Sequence, residues 1–350
     1  MPDSVDNEPL LIGGAPGSPY TRKMLAVLRY RRLSYRFLTP SEVARRGLSW
    51  AKVPLLPTFW FPGPAGGLEP VTDSSPLIRR FERDFAGRAV VPPDPALAFL
   101  DALFEDYADE WLTKFMFHFR WAFEADIDRA ARVLPHWRGL SRPDEVIAQA
   151  SLQFAERQIG RLGVVGSNET TAAVIEAGYP RFLAAFDAHL RAMPYLTGAR
   201  PGASDFAFFG QLTQLAQFDP TPMAITLERA PRVFAWVSLV EDLSGIEPEA
   251  HDWASTEAPP PTWRPILSEI GRTYVPVMLA NARALDAGRD TVEATVDGAL
   301  WRQRAFPYQG KCLRWLREAH AALGPAEREC VDGILDGTGC EALFSEEIRS

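Results

Sequence analysis

A serine followed by a proline stands near the start of the chain, where a loop gives way to a helix. A Gly- and Pro-rich stretch over 14–17 leads into Ser18-Pro19, and an apolar helical pattern follows over 24–30. Serine is a preferred N-cap, and proline is preferred at the first helical position. A helix start presents backbone N–H groups and the positive end of the helix dipole, which stabilise an anion or a thiolate. Ser18 is therefore a candidate for thiolate chemistry, and the alternative is a helix cap with no other role.

Two further stretches carry residue types suited to holding a ligand. Val53-Pro54 lies near the start of an apolar, β-prone segment over 52–61, where proline is normally confined to an edge or a strand start. A cis bond at Pro54 would free the neighbouring backbone to pair with another group, and a trans proline at an edge is the ordinary alternative. Asp73-Ser74 precedes a helical pattern over 77–82, where an acidic residue is favourable even without a ligand.

These stretches lie in an order of elements typical of a mixed sheet covered by helices. Strand and helix patterns follow one another as β-α-β and then β-β-α through the first 85 residues. After the linker over 92–95, a long helix carries large apolar residues at three- and four-residue steps, namely Leu100, Phe104, Tyr107, Trp111 and Phe115. The acidic residues of the same helix predict a solvated face, formed by Glu105, Asp106, Asp109 and Glu110.

The ordered set of Ser18-Pro19, Val53-Pro54 and Asp73-Ser74 resembles the glutathione-binding, thioredoxin-like domain of the cytosolic glutathione transferases. The run Ser-Pro-aromatic-x-Arg at 18–22 is similar to the serine-type, tau-class form. The stretch 195–209 resembles the helical-domain motif of this superfamily, in which a cap residue stands three before an Asp that opens a buried helix. In this sequence Gly202 occupies the cap position and Asp205 is the Asp three residues later. We expect Asp205 to have a role in folding, not in catalysis.

The fold class that the resemblance implies is α/β plus all-α. We expect a thioredoxin-like glutathione-binding domain over 9–88, a helical C-terminal domain over 95–250, and an extra α/β extension over 262–345. The extension carries a β-hairpin with Asp297-Gly298 at its turn. Because one hairpin with a few helices makes a thin core, we expect the extension to pack on the transferase body and narrow its cavity. A dimer arm or a separate module are the alternatives.

The resemblance implies glutathione as co-substrate and a role for each motif residue. Ser18 donates its hydroxyl to the glutathione sulfur, and a hydrogen bond to the charged form favours that form. The implied glutathione-binding residues are Lys52 for the glycyl carboxylate, Val53 and Pro54 for the cysteinyl backbone, Asp73 for the γ-glutamyl ammonium and Ser74 for its carboxylate. A solvated surface lysine is the alternative for Lys52.

The resemblance also implies a second substrate, a small apolar electrophile that we expect to be aromatic. Candidates for its cavity are the aromatic side chains Tyr20, Tyr107, Trp111 and Phe115, with plain core packing as their alternative. Serine cannot form the mixed disulfide that a thiol reductase needs. Conjugation, ether or halide cleavage, or isomerisation therefore rank above reduction. A non-catalytic binding or assembly protein on the same fold is the competing function.

The composition of the chain limits which binding partners and which cellular compartment we expect. The 350 residues carry a net charge of −8 without a basic block, which argues against nucleic acid and against an anionic membrane surface. We find no signal-peptide pattern and no apolar run of about 18 residues, so we expect no membrane span. Three late cysteines fit a reducing, cytoplasmic location, and the five histidines lack metal-ligand spacing. We therefore expect no metal, and the resemblance implies a homodimer.

Overall fold

The structure, a computed structural model, describes residues 8–345 apart from residues 54 and 65. The first part of the chain forms β1 (Leu10–Gly13), α1 (Pro19–Tyr30), β2 (Tyr35–Leu38), α2 (Pro40–Arg45), β3 (Thr58–Pro62), β4 (Leu68–Val71) and α3 (Ser74–Asp84). The sheet order is β2-β1-β3-β4, with β1 parallel to β2 and the other pairs antiparallel. The predicted order of elements, β-α-β followed by β-β-α, is confirmed.

The third strand begins later than the sequence pattern predicts. β3 starts at Thr58, so the prediction of a strand from residue 52 was wrong. Val53 lies in the preceding loop with 62 % of its surface exposed, and Pro54 falls outside the described residues. The peptide bond between Leu56 and Pro57 is cis. Proline lacks the N–H that a strand ladder needs, and the ladder accordingly starts directly after Pro57.

The middle of the chain is helical. It forms α4 (Pro95–Tyr107), a π-helical turn (Ala108–Leu112), α5 (Thr113–Ala122), α6 (Glu124–Val133), α7 (Asp144–Ile159), α8 (Ala172–Leu190), α9 (Ala203–Leu215), α10 (Pro220–Arg229) and α11 (Pro231–Val240). The buried Asp205 carboxylate accepts hydrogen bonds from the Gly202 and Leu196 amides at 2.9 and 2.8 Å. Its predicted role at the start of α9 is confirmed, because it satisfies N–H groups that a helix leaves without partners.

Helix α9 sets the position of α1. Gly210 on α9 lies so close to α1 that a Cβ there would meet the Pro19 carbonyl oxygen at 2.5 Å. Met24, Val27 and Leu28 on α1 are fully buried. The first turn of α1, which begins just after Ser18, is thus held directly against the helical part of the chain.

The C-terminal part adds a further layer. It forms α12 (Trp263–Glu269), a second π-helical turn (Ile270–Tyr274), α13 (Val275–Asp286), the hairpin β5 (Thr291–Val296) and β6 (Ala299–Arg304), α14 (Pro307–Ala321) and α15 (Pro325–Leu335). The hairpin turn at Asp297-Gly298 has positive φ at both residues, 50° and 77°, as a type I′ turn requires.

This C-terminal layer shares the main hydrophobic core with the rest of the chain. Trp301 on β6 packs against Trp111 with ring centroids 5.2 Å apart and the ring planes tilted by 39°. The Trp263 indole donates to the Leu196 carbonyl at 2.8 Å. The predicted fold class, including the extra hairpin region, is confirmed, while the domain boundaries at 9–88, 95–250 and 262–345 stay a prediction. Within the described residues, the helices are too short or too polar to cross a membrane.

Candidate functional site

Ser18 is the N-cap of α1. Its Oγ accepts a hydrogen bond from the Thr21 amide at 3.3 Å and donates to the Leu56 carbonyl at 3.5 Å. The side chain is half-buried, and the cap uses only a lone pair of the oxygen. Because 3.5 Å is a long distance for an O–H···O bond, the hydroxyl proton is available to a stronger acceptor. Ser18 can therefore cap α1 and donate a hydrogen bond to a thiolate at the same time.

The loop before Ser18 is anchored from behind by buried side chains. Gln214 on α9 donates to the Pro16 carbonyl at 3.1 Å, and Arg120 on α5 donates to the Gly17 carbonyl at 3.0 Å. Arg120 also holds the buried Asp219 carboxylate at 2.9 Å. Sequence reasoning missed these supports, because nothing local to 14–18 indicates them.

Leu56 is the residue that the structure brings to Ser18 from the strand side. Its carbonyl faces the Ser18 hydroxyl, whereas Val53 and Lys52 lie exposed in the loop before it. The structure therefore does not bring Val53 or Lys52 to Ser18. The sequence contains a feature that indicates Leu56. Of the two prolines in this segment, Pro57 is the one directly before the strand, and Leu56 is the residue that precedes it.

Asp73 has an unusual backbone at the start of α3. Its φ is +86° and its side chain makes no cap hydrogen bond. The alternative stated for Asp73, an acidic charge that is favourable at a helix N-terminus, needs no such bond and stays a prediction. A non-glycine residue with such a backbone costs about 1–3 kcal/mol and persists only where its surroundings impose it. Asp73 is contacted from the C-terminal layer, where Lys311 Nζ lies 3.6 Å from its carboxylate. Tyr308 lies close enough that burial, together with the negative charge of Asp73, raises the pKa of Tyr308.

Ser74 lies over a buried ion cluster. The Lys23 ammonium donates to Ser74 Oγ at 3.2 Å, to Glu105 at 2.7 Å and to Asp109 at 2.6 Å. Burial alone would lower the pKa of Lys23, but Asp109 and Glu105 raise it to about 12. Lys23 therefore stays charged, and it lies beside Ser74 at the start of α3. The feature of the sequence that marks Lys23 is its position directly before the apolar residues of α1.

The prediction of a solvated acidic face on the long helix was wrong. Glu105, Asp109 and Glu110 are buried at 2, 8 and 7 % exposure, because Lys23 and the C-terminal layer cover them. The Tyr274 hydroxyl donates to the Asp106 carboxylate. Burial raises the pKa of Asp106 to about 7, and burial together with the neighbouring Asp106 raises the pKa of Glu110 to about 8.

Three of the four aromatic candidates are packed in the core. Tyr107, Trp111 and Phe115 have no exposed surface and contact aromatic rings of the surrounding layers, namely Tyr274, Trp301 and Tyr179. Core packing, the alternative stated above, describes all three.

The first turn of α1 carries the fourth candidate, Tyr20, whose hydroxyl donates to the Asp109 carbonyl at 2.7 Å. Burial, with Glu110 and Asp109 nearby, raises the pKa of Tyr20 well above its ordinary value. Arg22 pairs with Glu241, which is a structural ion pair. Tyr20 thus joins the helix start at Ser18 to the π-helical turn.

Two further side chains that could act chemically are buried. His118 is 3 % exposed and bonds Ser167 Oγ at 2.8 Å and Glu176 at 3.2 Å, so it is a hydrogen-bonded core residue. Cys312 is 3 % exposed, and burial together with Asp106 raises the pKa of its thiol. Among the described residues, no group of His, Cys, Asp and Glu side chains could hold a metal ion.

A four-stranded sheet of order β2-β1-β3-β4 with a helix after its first strand, followed by a helical part of the chain, is a thioredoxin-like fold joined to a helical domain. The family model described as glutathione S-transferase, N-terminal domain, matches residues 13–89. The model described as glutathione S-transferase, C-terminal domain, matches residues 147–238. The chain belongs to the glutathione transferase superfamily, as its motifs predict.

Several solved structures are similar to this chain over part of its length. A tau-class glutathione S-transferase from mango, Mangifera indica, is 15 % identical with a TM-score of 0.40, and the match covers 69 % of this chain and 94 % of that one. A glutathione transferase family member from Pseudomonas fluorescens with two glutathione molecules bound is 13 % identical, with a TM-score of 0.39 and coverage of 68 % and 90 %. A theta-class enzyme from Xanthomonas axonopodis with glutathione bound is 17 % identical, with a TM-score of 0.36 and coverage of 64 % and 94 %. A comparison with curated protein sequences finds no match.

Proposed function

We propose that the protein is a glutathione-dependent transferase or lyase in which Ser18 stabilises the glutathione thiolate for attack on an apolar, aromatic electrophile. The observation that carries the proposal is the Ser18 hydroxyl at the start of α1, opposite the Leu56 carbonyl. Membership of the superfamily supports glutathione as the co-substrate. A homodimer in the cytoplasm belongs to the same proposal and comes from the family resemblance.

The chemistry needs a thiolate at neutral pH. A free thiol has a pKa of about 8.5, so a decrease of roughly two units makes the thiolate the main species. That decrease corresponds to about 2.7 kcal/mol of differential interaction. The Ser18 hydroxyl and the helix dipole favour the charged sulfur. The thiolate then forms a bond to the electrophilic carbon and displaces its leaving group.

We assign the cysteinyl-binding role to the backbone of Leu56 instead of Val53. Leu56 directly precedes Pro57 and β3, and its carbonyl already faces Ser18. A peptide that pairs with this backbone adds to the sheet like a short strand. Lys52 keeps its proposed role at the glycyl carboxylate. Pro54 has a role only in the family resemblance, since it lies outside the described residues.

Asp73 and Ser74 take the γ-glutamyl group in this proposal. The Asp73 carboxylate makes no cap bond to its own helix and faces a cation, Lys311, at 3.6 Å, so it can pair with an ammonium such as that of the γ-glutamyl group. Ser74, on the first turn of α3, accepts a hydrogen bond from Lys23 and keeps its own proton for the γ-glutamyl carboxylate. The helix start and the Lys23 charge both favour an anion there.

The test is the pKa of bound glutathione, followed through the ultraviolet absorbance of the thiolate. We expect a pKa about two units below that of free glutathione, and a value near the free one in Ser18→Ala. Turnover of an aromatic chloride should fall by about 100-fold in kcat/KM, the equivalent of about 2.7 kcal/mol. Ser151→Ala on α7, whose hydroxyl bonds the Ile147 carbonyl, is the matched control. An unshifted pKa in the unmutated protein would remove thiolate activation.

A non-catalytic binding or assembly protein is the second candidate function. One observation favours it, since the C-terminal layer already covers Asp73 with Lys311 and Tyr308. Isothermal titration with millimolar glutathione separates the two functions. An absence of binding heat would favour the second function, because a shared fold alone does not fix an activity.

A further inference from the structure

A lysine of the C-terminal layer stands at the carboxylate that the proposed function assigns to glutathione. Helix α14 brings Lys311 Nζ to 3.6 Å from Asp73 Oδ2. An ammonium group from within the chain therefore lies where the γ-glutamyl ammonium of glutathione would bind.

The contact between Lys311 and Asp73 is loose enough to be exchanged. The Lys311 side chain is 42 % exposed and that of Asp73 is 17 % exposed. At 3.6 Å the two groups form an ion pair without a short hydrogen bond. Ion pairs between partly exposed side chains contribute little to stability because water screens them, so a ligand that carries its own ammonium can displace Lys311.

Lys311 also has an aromatic surface beside the ion pair. Its ammonium lies 4.1 Å from the centre of the Trp315 ring and 5.3 Å from that of Tyr308. Aromatic faces attract cations at such distances. A displaced Lys311 therefore retains a favourable contact on α14 after it leaves Asp73.

The helix that carries Lys311 is itself fixed in place. Cys312, next in sequence, is 3 % exposed, and Gln309 is 2 % exposed. Leu313 and Leu316 on the same helix are also buried in the main hydrophobic core. Exchange at Asp73 therefore needs movement of the Lys311 side chain alone, without movement of α14.

We propose that Lys311 is a specificity-determining residue that competes with the γ-glutamyl ammonium for Asp73. This inference rests on the proposed function, which places that ammonium at Asp73. Glutathione must displace Lys311 to bind. A thiol of the same shape without the amino group leaves Lys311 in place, and Lys311 then balances the charge of its γ-glutamyl carboxylate. Lys311 thereby reduces the gain in affinity that a ligand obtains from a free γ-glutamyl amino group.

Calorimetric titration of the full chain tests the competition with two ligands, glutathione and its deamino analogue. Lys311→Met should bind glutathione about two- to fivefold more tightly than the unmutated protein, given the strength of such ion pairs. It should bind the deamino analogue no more tightly. Lys311→Arg keeps the charge and should behave like the unmutated protein. Arg314→Met removes one exposed positive charge from the same helix and is the matched control.

Each outcome decides between distinct alternatives. If Lys311→Met weakens or leaves unchanged the binding of glutathione, the competition is wrong while the proposed function stands. If Lys311→Met binds both ligands more tightly by the same factor, the change comes from the overall charge of the site, and the competition is also wrong. If glutathione binds neither the unmutated protein nor Lys311→Met, the proposed function and this inference fail together. If glutathione binds Lys311→Met but not the unmutated protein, the result supports both the proposed function and this inference.

Discussion

The Lys23 ammonium balances the charge beneath the start of α3. It is fully buried and pairs with Glu105 at 2.7 Å and Asp109 at 2.6 Å. Removal of one partner from a buried ion cluster leaves charge without compensation and typically costs about 3–5 kcal/mol. We expect Lys23→Met to lower the free energy of unfolding by about that amount, measured by urea denaturation.

Arg29→Met is the control for Lys23→Met on the same helix. Arg29 pairs with Glu241 at 3.0 Å, but the two side chains are 21 and 39 % exposed. Water screens such a pair, so its loss should cost under about 1 kcal/mol. Equal losses in the two variants would contradict the role given to burial at Lys23.

At the scale of elements, the contact between α1 and α9 positions the start of the candidate site. A Cβ at Gly210 would meet the Pro19 carbonyl oxygen at 2.5 Å. Backbone cannot rotate away as a side chain can, so α1 must shift. We expect Gly210→Ala to destabilise the protein by about 1–3 kcal/mol, measured by thermal and urea denaturation, and to raise the pKa of bound glutathione because Ser18 moves with Pro19.

Gly333→Ala in α15 provides the comparison. No atom lies within 4 Å of a Cβ built at Gly333, and alanine is the better helix former. This variant should be neutral or more stable by up to about 1 kcal/mol. A similar loss of stability at both positions would show that close approach to Pro19 is not what constrains Gly210.

The elements that the sequence predicts correctly depend on local chemistry. The order of strands and helices follows from periodicity, the hairpin from Asp297-Gly298, and the start of α9 from Asp205. The start of β3 was missed because two prolines, Pro54 and Pro57, carry the same signal. The pairing of β3 with β1, which begins at Thr58, decides between them.

The buried acids were missed for a related reason. Charged residues that recur along one helix predict a solvated face as long as that helix is considered alone. Their partners lie far away in sequence, on α1 and in the second π-helical turn. Lys23 bonds Glu105 and Asp109, and the Tyr274 hydroxyl donates to Asp106. Tertiary partners of this kind leave no periodic signal, and the same holds for Lys311 at Asp73.

At the scale of the whole molecule, the C-terminal layer makes stability depend on pH. It closes over Asp106 and Glu110, and burial raises their pKa values to about 7 and about 8. In the unfolded chain such carboxyls titrate near pH 4, so the folded chain binds these protons more tightly. The stabilisation is complete below about pH 4 and is lost as pH rises through about 7 and about 8.

Glu110→Gln should therefore flatten the pH profile of stability. The amide keeps the shape of the side chain and cannot ionise, so the variant should lose less free energy of unfolding between about pH 5 and about pH 8. Burial lowers the pKa of Lys114 to about 8, although the negative charge of Glu110 opposes this shift. Glu110→Gln removes that opposing charge. The pKa of Lys114 then falls further, which favours folding as pH rises and acts in the same direction. Urea denaturation across the pH range measures the slope, and Glu329→Gln, at an exposed carboxylate of α15, should leave it unchanged. A slope as steep in Glu110→Gln as in the unmutated protein would mean that Glu110 is already ionised beneath α14.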